Sequence, residues 1–480
     1  MSFYLNGYAY GNAPLDKKTV NITNPVTKEV IDTLPLAEDA QDAERILSIA
    51  EDGFDIWSKI PLYKRASILY RFVDRLEEHK EHIAEVMCRN MGRPITECRG
   101  ELHVTIQLAR GFIEKALHMY GEVLPDSQEG LENDIIFTKR EPLGTIVCII
   151  PFNAPVELYV HKVLPALIMG NSVIVKPPSS DPMSVLVLSD LMVETGVPSQ
   201  AAQVMYCRGK FTSQFITRSP RIAAVTFTGS TAAGKAVYQD SAPELHRVFL
   251  ELGGNDACIV MEDADLDFAA NELVTTRLMN SGQVCCSSKR TLVPEHLTDT
   301  LAEKIKDRMA LVKQGDPLDP QTELGSLVDS EAARTVKEQV DLTINQGAIC
   351  VTGGILKDDV FMMPTLLKNV TADMDIAKNM EVFGPVISLI SYQTIDEAIQ
   401  IANQTDYGLQ ASIISNNTKN AVGVAEKLRA GAVVINGAGS YRHIDMAFGG
   451  YKHSGIGREG ISSTLEEFSQ VKSYVLKNIL

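Results

Sequence analysis

The sequence of 480 residues predicts an α/β fold organised around parallel sheets. Three observations predict it. From residue 134 onward, short apolar runs alternate with stretches of helical periodicity, the pattern of strands joined by crossover helices. The runs are apolar at nearly every position, as strands covered by helices on both faces must be. The alternation breaks once, at Leu252-Gly253-Gly254-Asn255, and then resumes, so two such blocks are expected.

In chain order, residues 3–6 and 20–23 read as short strands, the second closed by Asn24-Pro25. Helices are expected over about 39–122. Within 61–88, Ile68, Leu69, Phe72, Val73, Leu76, Ile83, Val86 and Met87 recur at helical spacing with charged residues between them. Gly92-Arg93-Pro94 stops that helix, and another covers 101–119. Ile135-Ile136-Phe137-Thr138 reads as a strand. The first alternating block then gives strands at 144–150, 172–176, 203–206, 223–228 and 247–252, with helices at 156–169, 182–195, 211–218 and from 231. The second gives strands at 257–260, 290–293, 348–352, 386–392, 411–415 and 432–435, with helices at 265–281, 298–313 and 330–346.

Composition narrows the class. There are 45 Lys+Arg against 61 Asp+Glu, a net charge of −16, which argues against nucleic acid or a polybasic membrane contact as partner. A hydrophobic share of 45% with 33 Gly and 21 Pro argues against disorder and fibres. The eight cysteines form no CxxC pair and no Cys/His metal spacing, so no metal site is expected. No leader pattern opens the chain and no apolar run reaches the length of about 18 residues that suggests a membrane span. The expectation is a cytoplasmic protein with reduced thiols.

Two motifs tempt. Gly229-Ser230-Thr231-Ala232-Ala233-Gly234-Lys235-Ala236 nearly spells a P-loop between a strand and a helix, but Ala236 stands where a hydroxyl must ligate Mg²⁺. A P-loop phosphate-transfer enzyme is therefore the alternative of another class; an anion site at a helix start, or a plain tight turn, are the simpler readings. Gly455-Ile456-Gly457-Arg458-Glu459-Gly460 matches GxGxxG without a preceding strand and reads as a loop.

A third constellation carries chemistry. Cys285 lies in the polar turn Asn280-Ser281-Gly282-Gln283-Val284-Cys285-Cys286-Ser287, where a thiol can be reached and tuned. Most cysteines are inert core residues, and Cys286 reads as packing, with a disulfide to an oxidised Cys285 as the alternative. Glu251 ends a buried apolar strand before two glycines, a costly place for a carboxylate that is neither paired nor used. Pro151-Phe152-Asn153 ends another strand, where the amide could donate to a developing oxyanion. Together these describe a thiol nucleophile, a carboxylate base and an oxyanion donor.

These motifs, with Lys176-Pro177, Phe227-Thr228-Gly229-Ser230-Thr231, Glu381-Val382-Phe383-Gly384-Pro385 and Phe448-Gly449-Gly450 followed by Lys452 and Ser454-Gly455, resemble the NAD(P)-dependent, non-acylating aldehyde dehydrogenase superfamily over residues 3–478. The resemblance implies a Rossmann-like cofactor domain, an α/β catalytic domain and a small β oligomerisation arm. The cofactor domain would comprise 1–123 and 142–251 with a return at 448–465, the catalytic domain 252–447, and the arm 124–141 and 466–480. A homodimer or homotetramer is implied.

By the same resemblance Cys285 attacks the aldehyde, Asn153 and the Cys285 N–H hold the oxyanion, and Glu251 activates the water that hydrolyses the thioester. Lys176 would bind the adenosine ribose, with Gly229 and Ser230 at the pyrophosphate. Glu381 would hold the nicotinamide ribose, with Phe383 and Phe152 beside it. The presence of Glu251 implies water, not coenzyme A, as acyl acceptor. Ser179 stands where NAD-preferring members often carry Glu. A carboxylate there would repel a 2′-phosphate and a serine would not, so NADP as well as NAD is expected. Other departures are Phe152 for a common Trp, Ala154 for a bulky aromatic, and Ala447 for Pro.

For the substrate, His161 falls on the helix expected to line the tunnel. Arg110, Arg442 and His443 are further cationic groups that would suit a small polar or anionic aldehyde, while Arg290 reads as structural. The tail from Asp445 to Lys452 resembles the lactaldehyde and glycolaldehyde branch. Succinate semialdehyde and phosphono- or sulfo-acetaldehyde are the alternatives. A non-catalytic relative, such as a lens crystallin, is disfavoured by the joint presence of Cys285, Glu251 and Asn153.

Overall fold

The computed structural model describes residues 3–479, so the first two positions and the last of the expected domain ranges lie outside it. Two sheets with mostly parallel strands dominate. The first has eight strands in the order Tyr8–Ala9, Tyr4–Leu5, Ala202–Val204, Ser172–Lys176, Thr145–Ile149, Ala224–Thr228, Arg247–Glu251, Gly455–Ile456. All its pairings are parallel except the two at its edges. Burial on both faces explains the continuous apolar runs. Ile146 and Cys148 enter one core with the helices Leu62–Glu78, Ile95–Leu117 and Pro155–Ile168, whereas Val147 and Ile149 enter another with Ala40–Trp57.

The second sheet has seven strands in the order Ile349–Thr352, Thr365–Val370, Val386–Tyr392, Arg290–Pro294, Ala257–Val260, Gln410–Ile414, Ala432–Ile435. The same alternation holds: Cys258 and Val260 face one core, Ala257 and Ile259 the other. A three-stranded antiparallel ribbon pairs Ser469–Leu476 with Ile135–Pro142, and the latter with Val123–Leu124. It leaves Val123, Leu124, Val471 and Val475 exposed.

Some elements differ from expectation. Thr365–Val370 is a central strand, and Ile395–Asn403, Thr418–Ala425 and Ile461–Glu467 are helices not anticipated. Each is short, and Thr365–Val370 carries Lys368 and Asn369 at its end, which blurs the apolar run. The helix expected over 265–281 stops at Leu278, because Asn280, Ser281 and Gly282 adopt positive φ. The stretch 211–218 is a turn of α-helix, Gly209–Phe211, followed by a π-helical turn, Thr212–Ile216. The GxGxxG loop is not wholly irregular: Gly455–Ile456 adds an antiparallel edge beside Leu250 and Glu251. Among the described residues, no helix is long and apolar enough to cross a membrane, and no group of three or more His, Cys, Asp or Glu could hold a metal ion.

Candidate active site

Parallel register aligns the carboxyl ends of four strands in the first sheet. Ile149 pairs with Lys176 and with Phe227, and Thr228 pairs with Glu251. Asn153, Lys176, Ser230 and Glu251 therefore emerge at one edge, where ligands bind in open α/β sheets.

The cysteine loop is brought to this edge from the second sheet. Asp265 caps the helix Leu266–Leu278 by accepting from the N–H groups of Asp267 and Phe268. Beyond the helix the chain reverses through Asn280, Ser281 and Gly282, at φ 48°, 54° and 77°. A Cβ at position 282 would lie 2.0 Å from the Gly384 carbonyl, so space and backbone both demand glycine there. The two strained residues before it are held by side chains and neighbours. Asn280 N–H donates to Glu97 (2.8 Å), its Nδ2 donates to the Asn153 carbonyl (2.9 Å), and Ser281 Oγ donates to Gly325 O (3.0 Å). Arg277, fully buried, donates to Val386 O, Gly282 O, Ser287 Oγ and Val382 O.

Cys285 is thus presented partly exposed while Cys286 is buried. Lys289 Nζ donates to Cys285 O (2.5 Å) and Val284 O (3.1 Å), and it lies 3.4 Å from Glu381 Oε1. Glu381 also accepts from Gly254 N–H at 3.1 Å, so this carboxylate ties the glycine pair after Glu251 to the cysteine loop. Sharing a hydrogen with the Cys286 thiol, together with burial, holds the Cys285 thiol well above its usual range, with Lys289 pulling the other way. The rings of Phe152 and Phe383 meet edge to face at 5.9 Å although 231 positions separate them.

Glu251 is buried, and its Oε2 has no hydrogen-bond partner. Its Oε1 lies 2.8 Å from where a Cβ on Gly449 would stand, so glycine makes the space the carboxylate occupies. Burial first, and the Glu459 charge second, raise its pKa well above the carboxylate range.

A buried ionic cluster adjoins it. Lys162 Nζ and Arg442 Nη2 each lie 2.6 Å from the Glu459 carboxylate. Arg442 Nε is 3.7 Å from Glu157, and His161 Nε2 is also 3.7 Å from Glu157. Burial opposes ionisation of Glu459, but Lys162 and Arg442 outweigh it and hold the group far below its ordinary value. Burial and then Arg442 lower the His161 pKa, so that ring is neutral at pH 7.

The structure gathers Cys285, Glu251, Asn153, Glu381, Phe383 and Phe152 at one place. It does not form the expected cationic mouth. The Arg442 charge turns inward to Glu459 and its guanidinium covers the Phe448 ring at 4.4 Å. His161 is buried against Phe112 and Glu157. Arg110 sits on the surface 3.8 Å from Asp74, and His443 is exposed, its Nδ1 accepting from Asp445 N–H. Arg290 spends its guanidinium on four backbone carbonyls, as its structural reading requires. Sequence reasoning missed Lys162, Glu459, Glu157, Arg277 and Lys289. The one visible signal was Lys162 within the apolar stretch Val160-His161-Lys162-Val163-Leu164.

The dinucleotide half of the edge has fitting chemistry. Lys176 is buried at a strand end, with its ammonium on Pro177 O alone (3.2 Å), leaving donors for hydroxyls. Ser230 is exposed and caps the helix Thr231–Ser241, its Oγ accepting from Ala233 N–H at 3.3 Å. A Cβ on Gly229 would lie 2.6 Å from the Phe227 ring. Ser179 is exposed and lines a cleft with Tyr206, Cys207, Arg208 and Gly209.

A reachable thiol and a buried carboxylate with an unpartnered oxygen, held at the carboxyl edge of a nucleotide-type sheet, are the features of an α/β enzyme. Within that class the chain belongs to the aldehyde dehydrogenase family, whose model matches residues 13–474. It is 33% identical over 470 residues to a 3-sulfolactaldehyde dehydrogenase of Priestia aryabhattai, covering 98% of this chain and 97% of that one. It is 32% identical over 471 residues to a lactaldehyde dehydrogenase of Methanococcus vannielii, covering 96% and 98%. Among solved structures it superposes with TM-score 0.94 on an NADP-dependent glyceraldehyde-3-phosphate dehydrogenase of Bacillus halodurans complexed with NADP, 31% identical and covering 99% of both chains.

Proposed function

We propose that the protein is an NAD(P)-dependent aldehyde dehydrogenase that oxidises a small polar or anionic aldehyde to its carboxylate. The observation that carries this reading is the pairing of the partly exposed Cys285 thiol with the buried, unpartnered Glu251 carboxylate. Cys285 gives up its thiol proton to water as its sulfur adds to the aldehyde carbon, and the Asn153 amide, whose backbone alone is engaged by Asn280, donates to the oxygen that becomes negative. The bound dinucleotide supplies the hydride acceptor that lets this adduct become a thioester. Glu251 then takes a proton from water, the hydroxide adds to the acyl carbon, and the carbon–sulfur bond breaks with its electron pair returning to Cys285.

Lys176 and Ser230 would hold the dinucleotide, with Gly229 admitting it closely and Glu381 and Phe383 at the nicotinamide end. The exposed Ser179 and the neighbouring Arg208 favour acceptance of a 2′-phosphate, and the related glyceraldehyde-3-phosphate dehydrogenase is complexed with NADP. The relatives named for sulfolactaldehyde and lactaldehyde support a short hydroxylated or anionic substrate. The ribbon formed by Ser469–Leu476, Ile135–Pro142 and Val123–Leu124, with its exposed valines, is the surface on which a homodimer or homotetramer would form. A panel of lactaldehyde, glycolaldehyde, succinate semialdehyde, phosphonoacetaldehyde and sulfoacetaldehyde, each with NAD and NADP, tests the reading. Aldehyde-dependent cofactor reduction with at least one supports it, and reduction with none contradicts it.

A further inference from the structure

Hydrolysis of the thioester leaves a proton on Glu251 in every turnover, and this carboxyl is buried. It must unload before the next cycle. Behind it runs a narrow cavity with space on the scale of one water, lined among others by Glu251, His161, Glu459, Arg458 and Glu467. Glu467 ends the helix Ile461–Glu467 and is partly exposed. Its Oε1 accepts from Arg458 N–H at 2.9 Å and lies 2.8 Å from where a Cβ on Gly457 would stand. Across the same loop, the Gly457 carbonyl and Glu251 Oε1 each lie 2.8 Å from where a Cβ on Gly449 would stand. The strand of backbone at Gly457–Arg458 thus runs between the two carboxyls, with the cavity touching both.

We propose that Glu467 receives the proton that Glu251 acquires and passes it to solvent, through water in this cavity. The proposal rests on the reading of Glu251 as the base of thioester hydrolysis. In the step, a water in the cavity accepts the proton from the Glu251 carboxyl and gives one of its own to the Glu467 carboxylate. Glu251 is left ionised, and Glu467 then loses its proton to bulk water. Glu467 acts through Glu251 and touches neither substrate nor cofactor.

The groups facing Glu467 are Arg458, Glu459 and Lys162. Glu459 is a poor carrier at neutral pH, because its two cations keep it ionised. The neutral His161 ring is pinned between Phe112 and Glu157. Burial raises Glu467 to about 7, with the Glu459 charge adding to the rise and the Arg458 N–H opposing it, so this carboxyl exchanges protons in the working range.

The test compares the full-length wild type with Glu467→Gln by stopped flow, measuring first-turnover cofactor reduction and steady-state kcat across pH 5.5–8.5 (about three units, bracketing neutrality). The expected result is an unchanged first-turnover rate, a kcat lower by on the order of tenfold, a lost or shifted limb near pH 7, and partial recovery with added imidazole. If kcat and its pH profile match the wild type, the proposal is overturned. It is overturned equally if first-turnover reduction and kcat fall together, since that marks a structural role. Should the Gln substitution impair folding, Glu467→Asp is read instead. A lowered kcat that imidazole restores supports the proposal, and an unaltered profile overturns it. Absence of any aldehyde-dependent first turnover in the wild type would refute the dehydrogenase reading instead.

Discussion

The two sheets meet at the site and bring to it buried charged groups of opposite kinds. From the seven-stranded side come Arg277 and Arg290, each buried and each donating to four acceptors, nearly all backbone carbonyls. From the eight-stranded side comes Glu251, equally buried, with one carboxylate oxygen unpartnered. A saturated guanidinium fixes a loop, and its removal strands several acceptors at once. An unsaturated carboxylate stabilises nothing and costs free energy where it stands. The chain therefore keeps these two guanidiniums satisfied, Arg277 bracing the cysteine loop through Gly282 and Ser287, and leaves poised the carboxyl that must exchange a proton.

That contrast can be broken from either side. Replacing the nucleophile has the largest expected effect: Cys285→Ala should lower aldehyde-dependent cofactor reduction by on the order of 10⁴-fold or more, with Tm nearly unchanged. Arg277→Met attacks the saturated side. It should cost about 3–5 kcal/mol of stability in denaturant unfolding, because Gly282, Val382 and Val386 lose their donor. Asn153→Ala should lower kcat by roughly 10²–10³-fold with little change in stability. Ser179→Glu is the mildest and should move the NADP/NAD specificity ratio toward NAD by about tenfold or more. An unchanged ratio would detach cofactor choice from this position.

The pH response follows the same division. The raised Glu251 pKa means the base form is lost as pH falls through that value, so deacylation should slow toward acid. Asp256, raised to about 7 by burial, has a folded pKa above its unfolded one. Its contribution to stability is fully present below about pH 4 and is lost as pH rises through 7. Asp256→Asn should flatten the dependence of Tm on pH between those limits.

Much of this was legible in the sequence, for a physical reason. Strands buried on both faces must be apolar throughout, so Thr145–Ile149, Ser172–Lys176 and Ala224–Thr228 show themselves as runs. The residues expected to act sit at strand ends and in turns, where a polar group after an apolar run stands out, as Glu251 and Asn153 do. What stayed hidden is what long-range contact decides. Lys162 meets Glu459 across 297 positions, and neither side chain announces its partner. Arg442 and His161 looked like free cations because the sequence does not show Glu459 and Glu157 turned toward them. Thr365–Val370 escaped because its apolar run is short and ends in polar residues.

The central claim, that Cys285 forms the thioester and Glu251 empties it, is tested most directly by rapid mixing of Glu251→Gln with aldehyde and NADP. The account predicts one equivalent of reduced cofactor per active site at near wild-type rate, followed by steady-state turnover lower by roughly 10²–10⁴-fold. Sustained turnover at the wild-type rate, or no first-turnover reduction in a folded variant, would contradict it.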